Sequence, residues 1–155
     1  MNIFRASIEG DVGRLEELVM SGTSVDSRDR SKKTPLIYAV ANNQQEAVEF
    51  LYKNGCNLNL QDEDGDTAMH CAEGNELGAM VQLLADWGAD LEIRNINGQT
   101  PVNRAAAGGS ADMVRILGNL GTNLQTVDDY GRSPAENALN GGHIETLKVL
   151  EELQM

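Results

Sequence analysis

Four carboxylates stand at short intervals near the middle of the chain, and side chains with this spacing could bind a metal ion. Relative positions 1, 3, 5 and 12 of this segment are held by Asp62, Asp64, Asp66 and Glu73. These are ligand positions of a calcium-binding loop, which also needs a glycine at position 6 for its sharp turn. Thr67 stands there instead and is predicted below to begin a helix. Because a helix prevents the chain from wrapping an ion, we predict no calcium site.

The histidines and cysteines also lack the spacing of a metal site. His70 and Cys71 are adjacent, so on one helix their side chains point about 100° apart and make a poor pair of ligands. His143 lies far along the chain with no third ligand, and Cys56 is interpreted as a packing residue. Phosphate-binding loops, nucleophile elbows and dinucleotide motifs are absent as well. We therefore predict a protein without metal, cofactor or catalytic activity.

Composition excludes several classes of partner. The chain has 155 residues, of which 24 are acidic and 12 basic, so its formal net charge is −12. This excess disfavours nucleic acid and anionic membranes as partners. Apolar runs stay well below the roughly 18 residues that span a bilayer, and the first residues lack the apolar stretch of a signal peptide. Because two cysteines cannot form a disulfide framework, we expect the cytoplasm as the location, with the nucleus as the alternative. We also expect a monomer.

The strongest pattern is a repeat of 33 residues without insertions. This interval separates four helix-start pairs, namely Thr34-Pro35, Thr67-Ala68, Thr100-Pro101 and Ser133-Pro134. It also separates members of glycine, Asp/Asn and alanine columns: Gly22, Gly55, Gly88 and Gly121; Asp29, Asp62, Asn95 and Asp128; Ala6, Ala39, Ala72, Ala105 and Ala138. Several columns that keep one period predict a stack of similar units.

Each unit is predicted to contain two short helices and a projecting loop. The hydroxyl of Thr34 can cap a helix, and Pro35 fits its first position, so a helix is predicted over 35–41. A second is predicted over 45–53, ending at Gly55, because glycine closes a helix in the left-handed conformation. Turn residues then predict a hairpin-like loop. Helices this short are unstable alone, so stacking is predicted to give an all-α solenoid.

The repeated residues resemble the ankyrin repeat, whose pattern begins D-x-x-G-x-T-P-L-H-x-A-A. The matching segments are Asp62-Glu-Asp-Gly-Asp-Thr-Ala-Met-His-Cys-Ala72, Asp86-Trp-Gly-Ala-Asp-Leu91, Asn97-Gly-Gln-Thr-Pro-Val-Asn-Arg-Ala-Ala106 and Gly131-Arg-Ser-Pro134. The resemblance covers essentially the whole chain. It implies a single domain of five helix pairs, with units of approximately 1–28, 29–61, 62–94, 95–127 and 128–155. It also implies that His70 supports a loop by hydrogen bonding to nearby backbone.

The resemblance further implies a non-catalytic module that binds a protein partner with its loop tips and the concave face of its first helices. We number the tips by unit: tip 2 is residues 29–33, tip 3 is 62–66, tip 4 is 95–99 and tip 5 is 128–132. Carried over by position, the predicted partner-binding residues are Arg30, Ser31, Lys33, Asn42, Glu63, Asp64, Asp66, Asn75, Ile96, Asn97, Gln99, Asp129, Tyr130 and Arg132.

Charge varies along the tips and predicts features of the partner. Tip 2 is basic, tip 3 acidic and tip 4 nearly neutral, which favours a partner that presents acidic, then basic, then neutral surface. The alternative is that these charges only keep the protein soluble. A second hypothesis for the function is stoichiometric inhibition of an enzyme such as a protein kinase, as in the small ankyrin inhibitors of cyclin-dependent kinases. Those have a shortened second unit, whereas residues 34–53 are complete here.

The third unit departs from the repeat at two glutamates. Glu73 stands in a column of small or apolar residues, and Glu76 stands where the other units have glycine or asparagine in a left-handed turn. One hypothesis is that Glu73 extends the acidic tip into a carboxylate groove. We favour the other, in which Gly74 or Asn75 takes the left-handed conformation and Glu73 reaches solvent.

Two aromatic residues have separate expectations. Trp87 is at the end of a second helix and is predicted to pack across the stack. Tyr130 lies on a tip, where it is either an interface anchor or a solvated loop residue.

Overall fold

The computed structural model describes residues 1–155 and contains ten α-helices and no β-strand. The helices are α1 (Ile3–Glu9), α2 (Val12–Met20), α3 (Pro35–Ala41), α4 (Gln45–Lys53), α5 (Ala68–Gly74), α6 (Gly78–Asp86), α7 (Pro101–Ala107), α8 (Ala111–Asn119), α9 (Pro134–Asn140) and α10 (Ile144–Leu153). The predicted helices over 35–41 and 45–53 are confirmed as α3 and α4. None of the ten has the length and apolar character that crossing a membrane requires.

Local capping explains where the first helix of each pair begins. Oγ1 of Thr34 accepts a hydrogen bond from the backbone N–H of Ile37 at 3.1 Å. Thr67, Thr100 and Ser133 cap α5, α7 and α9 in the same way. Such a cap satisfies a backbone donor that the helix leaves free, and stabilises it by about 1 kcal/mol. The helix boundaries are therefore set by residues that recur with the period.

The turn between α5 and α6 contradicts the preferred prediction for the third unit. Gly74 is the last residue of α5 and Asn75 has a φ of −97°, whereas Glu76 itself is left-handed with a φ of 57°. The N–H of Leu77 donates to the carbonyl of Ala72 at 2.9 Å. The α3–α4 turn has the equivalent bond, from the N–H of Gln44 to the carbonyl of Ala39 at 2.8 Å. Helices α5 and α6 therefore keep the register of the stack. Because that register leaves no room for a shift, the left-handed position stays at residue 76.

The helices stack in two layers, which confirms the predicted solenoid. Neighbouring first helices contact each other in the pairs α1–α3, α3–α5, α5–α7 and α7–α9, and second helices do so in α2–α4, α6–α8 and α8–α10. Small side chains lie where the first helices approach, and Ala39 and Ala72 are completely buried. Val48 and Val81 fill the space between the layers with no exposed surface. Burial of these faces supplies the stability that single short helices lack.

Position in the stack decides whether an apolar side chain is buried. Val40 and Leu139 occupy the same column, yet Val40 is completely buried and Leu139 is 63% exposed, because no further helix pair covers α9. On the outer layer, the rings of Tyr52 and Trp87 stack with centroids 4.0 Å apart and planes 4° from parallel. The prediction that Trp87 packs across the stack is therefore confirmed.

Candidate partner-binding surface

Each loop tip is a tight turn built around an aspartate or asparagine. In tip 3, Oδ1 of Asp62 accepts from the backbone N–H groups of Asp64 at 2.9 Å and Asp66 at 3.0 Å. The N–H of Gly65 donates to the carbonyl of Asp62 at 3.0 Å. The side chains that make the same bonds in the other tips are Asp29, Asn95 and Asp128. These internal bonds hold each tip in shape without a strand.

Two of these carboxylates are stabilised in their ionised form. Burial by itself raises the pKa of Asp29, but hydrogen bonds from the Tyr38 hydroxyl and from backbone N–H groups of tip 2 outweigh it, so the pKa lies below its ordinary value. At Asp128, burial by itself likewise raises the pKa. Hydrogen bonds from the backbone of tip 5 and from Asn137 outweigh it, so this pKa is also lowered. The bond to Asp29 raises the pKa of Tyr38 to about 12. Both tips therefore keep their supporting charge near neutral pH.

Backbone hydrogen bonds join the four tips into one row. The N–H of Glu63 donates to the carbonyl of Ser31 at 2.9 Å, and that of Ile96 donates to the carbonyl of Asp64 at 2.8 Å. The N–H of Asp129 donates to the carbonyl of Asn97 at 3.1 Å. Tips 3 and 4 approach so closely that a Cβ on Gly65 would lie 2.7 Å from the backbone nitrogen of Ile96. The row is thus continuous and ordered before any partner arrives.

A shallow groove of about 370 Å³ runs along the flank of tips 2, 3 and 4. Its wall is formed by Arg28, Gln61 and Arg94, which share one column of the repeat. The Arg28 guanidinium donates to the carbonyl of Gln61, the Gln61 amide donates to the carbonyl of Arg94 at 2.9 Å, and Arg94 donates to the carbonyl of Val127. Gln61 and Arg94 were not among the predicted residues, although their column of long polar side chains beside the tips was a signal for them.

The predicted partner-binding residues form two edges of the first-helix face. On the tips, the exposed members are Arg30, Glu63, Asp64, Ile96, Asn97, Asp129 and Tyr130, and the half-buried members are Ser31, Lys33, Asp66, Gln99 and Arg132. The other edge carries Asn42 and Asn75, whose amides donate to backbone carbonyls of α3 and α5 at 2.8 Å. A seven-residue helix separates the edges by about 10 Å.

Some charges of the tips are already engaged within the chain. Oδ1 of Asp66 accepts from Arg104 at 3.0 Å and from the Asn95 amide at 3.1 Å. The carbonyl of Gln99 lies 2.9 Å from Nε2 of His70, which confirms that this histidine supports a loop. Glu63 and Asp64 are exposed, and their carboxylates have no partner in the chain. The acidic surface available at tip 3 is therefore smaller than the four carboxylates in its sequence suggest.

Tip 5 presents an aromatic ring. Tyr130 is 76% exposed, and the guanidinium carbon of Arg132 lies 4.7 Å from the centre of its ring. A cation over a ring face is attractive by about 0.5–1 kcal/mol at exposed sites. This contact orients the ring, which leaves a large apolar surface on the tip row.

The structure gives Glu73 a structural partner that sequence reasoning missed. Glu73 is only 4% exposed, so the prediction that it reaches solvent is wrong. Arg104 of α7 donates through Nε to Oε2 of Glu73 at 3.0 Å and through another nitrogen to the carbonyl of His70 at 2.6 Å. The signal for this pair was Glu73, which breaks a column of small or apolar residues, followed by an arginine on the next first helix. The bridge between α5 and α7 also removes Glu73 from the hypothesised carboxylate groove.

Protonation at this bridge follows from burial. Burial raises the pKa of Glu73 to about 7, against the opposing charge of Arg104. For Arg104, burial by itself lowers the pKa, but the charges of Glu73 and Asp66 outweigh it and the guanidinium stays protonated. Glu76 has a separate partner, since its carboxylate accepts from the Ser110 hydroxyl at 2.8 Å. Both unusual glutamates of the third unit thus bind side chains of the next unit.

The cysteines and histidines do not form a reactive centre. Burial raises the pKa of the Cys56 thiol to about 12 and that of the Cys71 thiol to about 11, so both stay protonated near neutral pH. No group of three or more His, Cys, Asp or Glu side chains is placed to hold a metal ion. The chemistry that the tip row offers is hydrogen bonding, charge and apolar contact.

Comparison with known families shows which family the chain matches. The family model described as ankyrin repeats, in three copies, matches residues 3–95 and residues 73–154. The two ranges overlap and together extend over nearly the whole chain. No curated protein matches the sequence significantly.

Proposed function

We propose, because this chain belongs to the ankyrin-repeat family, that it is a non-catalytic module that binds a protein partner through its four tips and the adjoining first-helix face. Ankyrin repeats are general protein–protein interaction modules. The observation that carries the proposal is the continuous row of tips, joined by backbone hydrogen bonds and bearing exposed side chains that differ from unit to unit. The shared columns are occupied in building the stack, so the unshared tip residues are available to a partner.

Rigidity of the tips supports this proposal. Binding usually costs free energy when loops must be ordered, and a surface that is already ordered avoids that cost. Each tip is held by bonds from an Asp or Asn side chain and by a bond to the neighbouring tip. An exposed aromatic such as Tyr130 adds contact area of the kind that dominates many interfaces.

The test replaces the two exposed carboxylates of tip 3. We expect Glu63→Lys combined with Asp64→Lys to reduce the partner captured from a lysate of the source cells at least tenfold, measured by quantitative mass spectrometry. Because neither carboxylate has a partner within the chain, the melting temperature should stay within about 3 °C of wild type. Asp66 is left unchanged because its carboxylate holds Arg104.

A matched control reverses the same number of charges on second helices. Glu16 of α2 and Glu151 of α10 are exposed and make no ion pair, so Glu16→Lys with Glu151→Lys gives an equal change in net charge. We expect this variant to capture the partner as wild type does. Full capture by the tip variant, or equal loss by both variants, contradicts binding through the tips.

A further inference from the structure

We infer that the groove beside tips 2, 3 and 4 binds an extended segment of the partner that carries an acidic, a basic and an apolar side chain in that order. The inference rests on the proposed function and adds the chemistry of the segment to it. Three different surfaces meet in the one groove: Lys32 from tip 2, Glu63 from tip 3 and Ile96 from tip 4. A single segment lying along the groove contacts all three.

The positive end of the groove is available to an acidic side chain. Lys32 is exposed, and its ammonium makes no ion pair or hydrogen bond within the chain. Arg28 lies beside it in the groove lining, and its guanidinium is fixed by the Gln61 carbonyl. Two cations here contrast with the net charge of −12 on the whole chain, so this end selects a carboxylate from a partner that the rest of the surface repels.

The middle of the groove presents one free carboxylate. Asp62 also lines the groove, but it is 7% exposed and its Oδ1 accepts from backbone N–H groups of its own tip. Glu63 is exposed and without an internal partner. A basic side chain of the bound segment therefore meets Glu63, with Asp64 next to it on the same tip.

The far end carries one apolar side chain, beside Arg94 and Asn95. Ile96 is 66% exposed and is the one hydrophobic residue that lines the groove. Covering such a side chain with an aliphatic group removes apolar surface from water, which favours the complex. The partner's apolar side chain thus belongs at the tip 4 end.

Repeat geometry sets the spacing between Glu63 and Ile96. Glu63 and Ile96 hold the same position in successive tips, so their separation follows the 8–10 Å spacing of packed helices, about 9 Å. A segment in the extended polyproline II conformation advances about 3.1 Å per residue and returns to the same face every three residues, so the basic and apolar side chains are about three residues apart. The volume of 370 Å³ is at the lower end for small-ligand pockets, which suits a few side chains of a segment rather than a domain.

The test uses synthetic peptides and a charge-exchanged protein. One peptide has Asp, Lys and Leu separated by two Gly or Ser residues; a second exchanges Asp and Lys; both are made in the two chain directions. Dissociation constants are measured by fluorescence anisotropy for wild type and for Lys32→Glu with Glu63→Lys. We expect each protein to bind its charge-matched peptide at least tenfold more tightly than the exchanged one, in the same chain direction.

Two further arms separate this inference from the proposed function. Ile96→Ser should weaken the matched peptide about tenfold but leave a peptide with Gly in place of Leu unaffected, and melting temperatures verify that every variant is folded. Equal affinities in all pairings, or no binding of either peptide by wild type at 1 mM, overturn the inference. If capture of the natural partner is still lost in the Glu63→Lys with Asp64→Lys variant, the proposed function survives that result. Charge-matched discrimination with undiminished capture by that variant contradicts both the inference and the proposed function, because the natural partner then does not depend on Glu63.

Discussion

Lys32 and Glu76 adopt a backbone conformation that favours glycine. Lys32 has a φ of 62°, whereas Gly65, Gly98 and Gly131 hold the same position in the other tips with φ between 72° and 77°. A left-handed conformation costs a residue with a Cβ about 1 kcal/mol or more. Glu76 recovers part of this through its bond to Ser110. The Lys32 side chain makes no such bond, so its strain persists for another reason. We propose that this reason is the role of its ammonium in the groove.

We expect Lys32→Gly to raise the free energy of unfolding by about 0.5–1 kcal/mol. Glycine removes the left-handed strain, and this gain exceeds the added backbone entropy of the unfolded chain. Urea denaturation of both proteins measures the change. The control is Arg30→Gly in the same tip, where φ is not positive; only the entropy term acts there, so stability should fall. Equal shifts in both variants are incompatible with strain at Lys32.

At the scale of helices, the bridge between α5 and α7 is the most unusual contact. Arg104 joins Glu73, Asp66 and the carbonyl of His70, so one side chain ties the first helix of one unit to the tip and first helix of the unit before it. The Glu73 side chain is 5% exposed and that of Arg104 is 27% exposed. Removing the arginine alone leaves a carboxylate without a partner in the interior, which is costly.

This bridge makes stability depend on pH in a defined direction. Folding raises the pKa of Glu73 from 4.5 to about 7, so its protonated form is favoured in the folded state. Its stabilising contribution is full below the ordinary pKa and is lost as the pH rises through 7. We expect the free energy of unfolding of wild type, relative to Glu73→Gln, to fall by about 3 kcal/mol between pH 4.5 and pH 8.

Urea denaturation of both proteins across this range measures the difference. Asp29 and Asp128 have lowered pKa values, so their contributions are lost only as the pH falls below this window. His70, whose burial lowers its pKa, is present in both proteins and largely cancels. A difference that stays flat with pH contradicts the raised pKa of Glu73.

Helix positions were predictable and side-chain partners between units were not. The start of α3 follows from a threonine and a proline, and the end of α4 from a nearby glycine, so local chemistry specifies these two bounds. The interaction of Glu73 depends on Arg104, which is 31 residues away on another helix. The turn at Glu76 could not shift as predicted, because stacking fixes the register of α5 and α6.

At the scale of the molecule, contacts between neighbours explain both the fold and the freedom of the surface. Helices pack within their own pair or against the adjacent pair, so a 33-residue period in the sequence is enough to predict the stack. The same geometry means that a change on one tip disturbs little beyond its neighbours. What the tips recognise depends on exposed residues that differ between units, and these carry no periodic signal. Only the groove in the folded chain brings Lys32, Glu63 and Ile96 together.

The most direct measurement of the proposed binding surface is hydrogen–deuterium exchange of the chain with and without its captured partner. Backbone amides that a partner covers exchange more slowly, because their opening to solvent is suppressed. We expect added protection in residues 28–33, 61–66, 94–99 and 127–132, with α4, α6 and α8 unchanged. Protection that appears mainly on α4, α6 and α8, while the four tips exchange as in the free chain, contradicts the account.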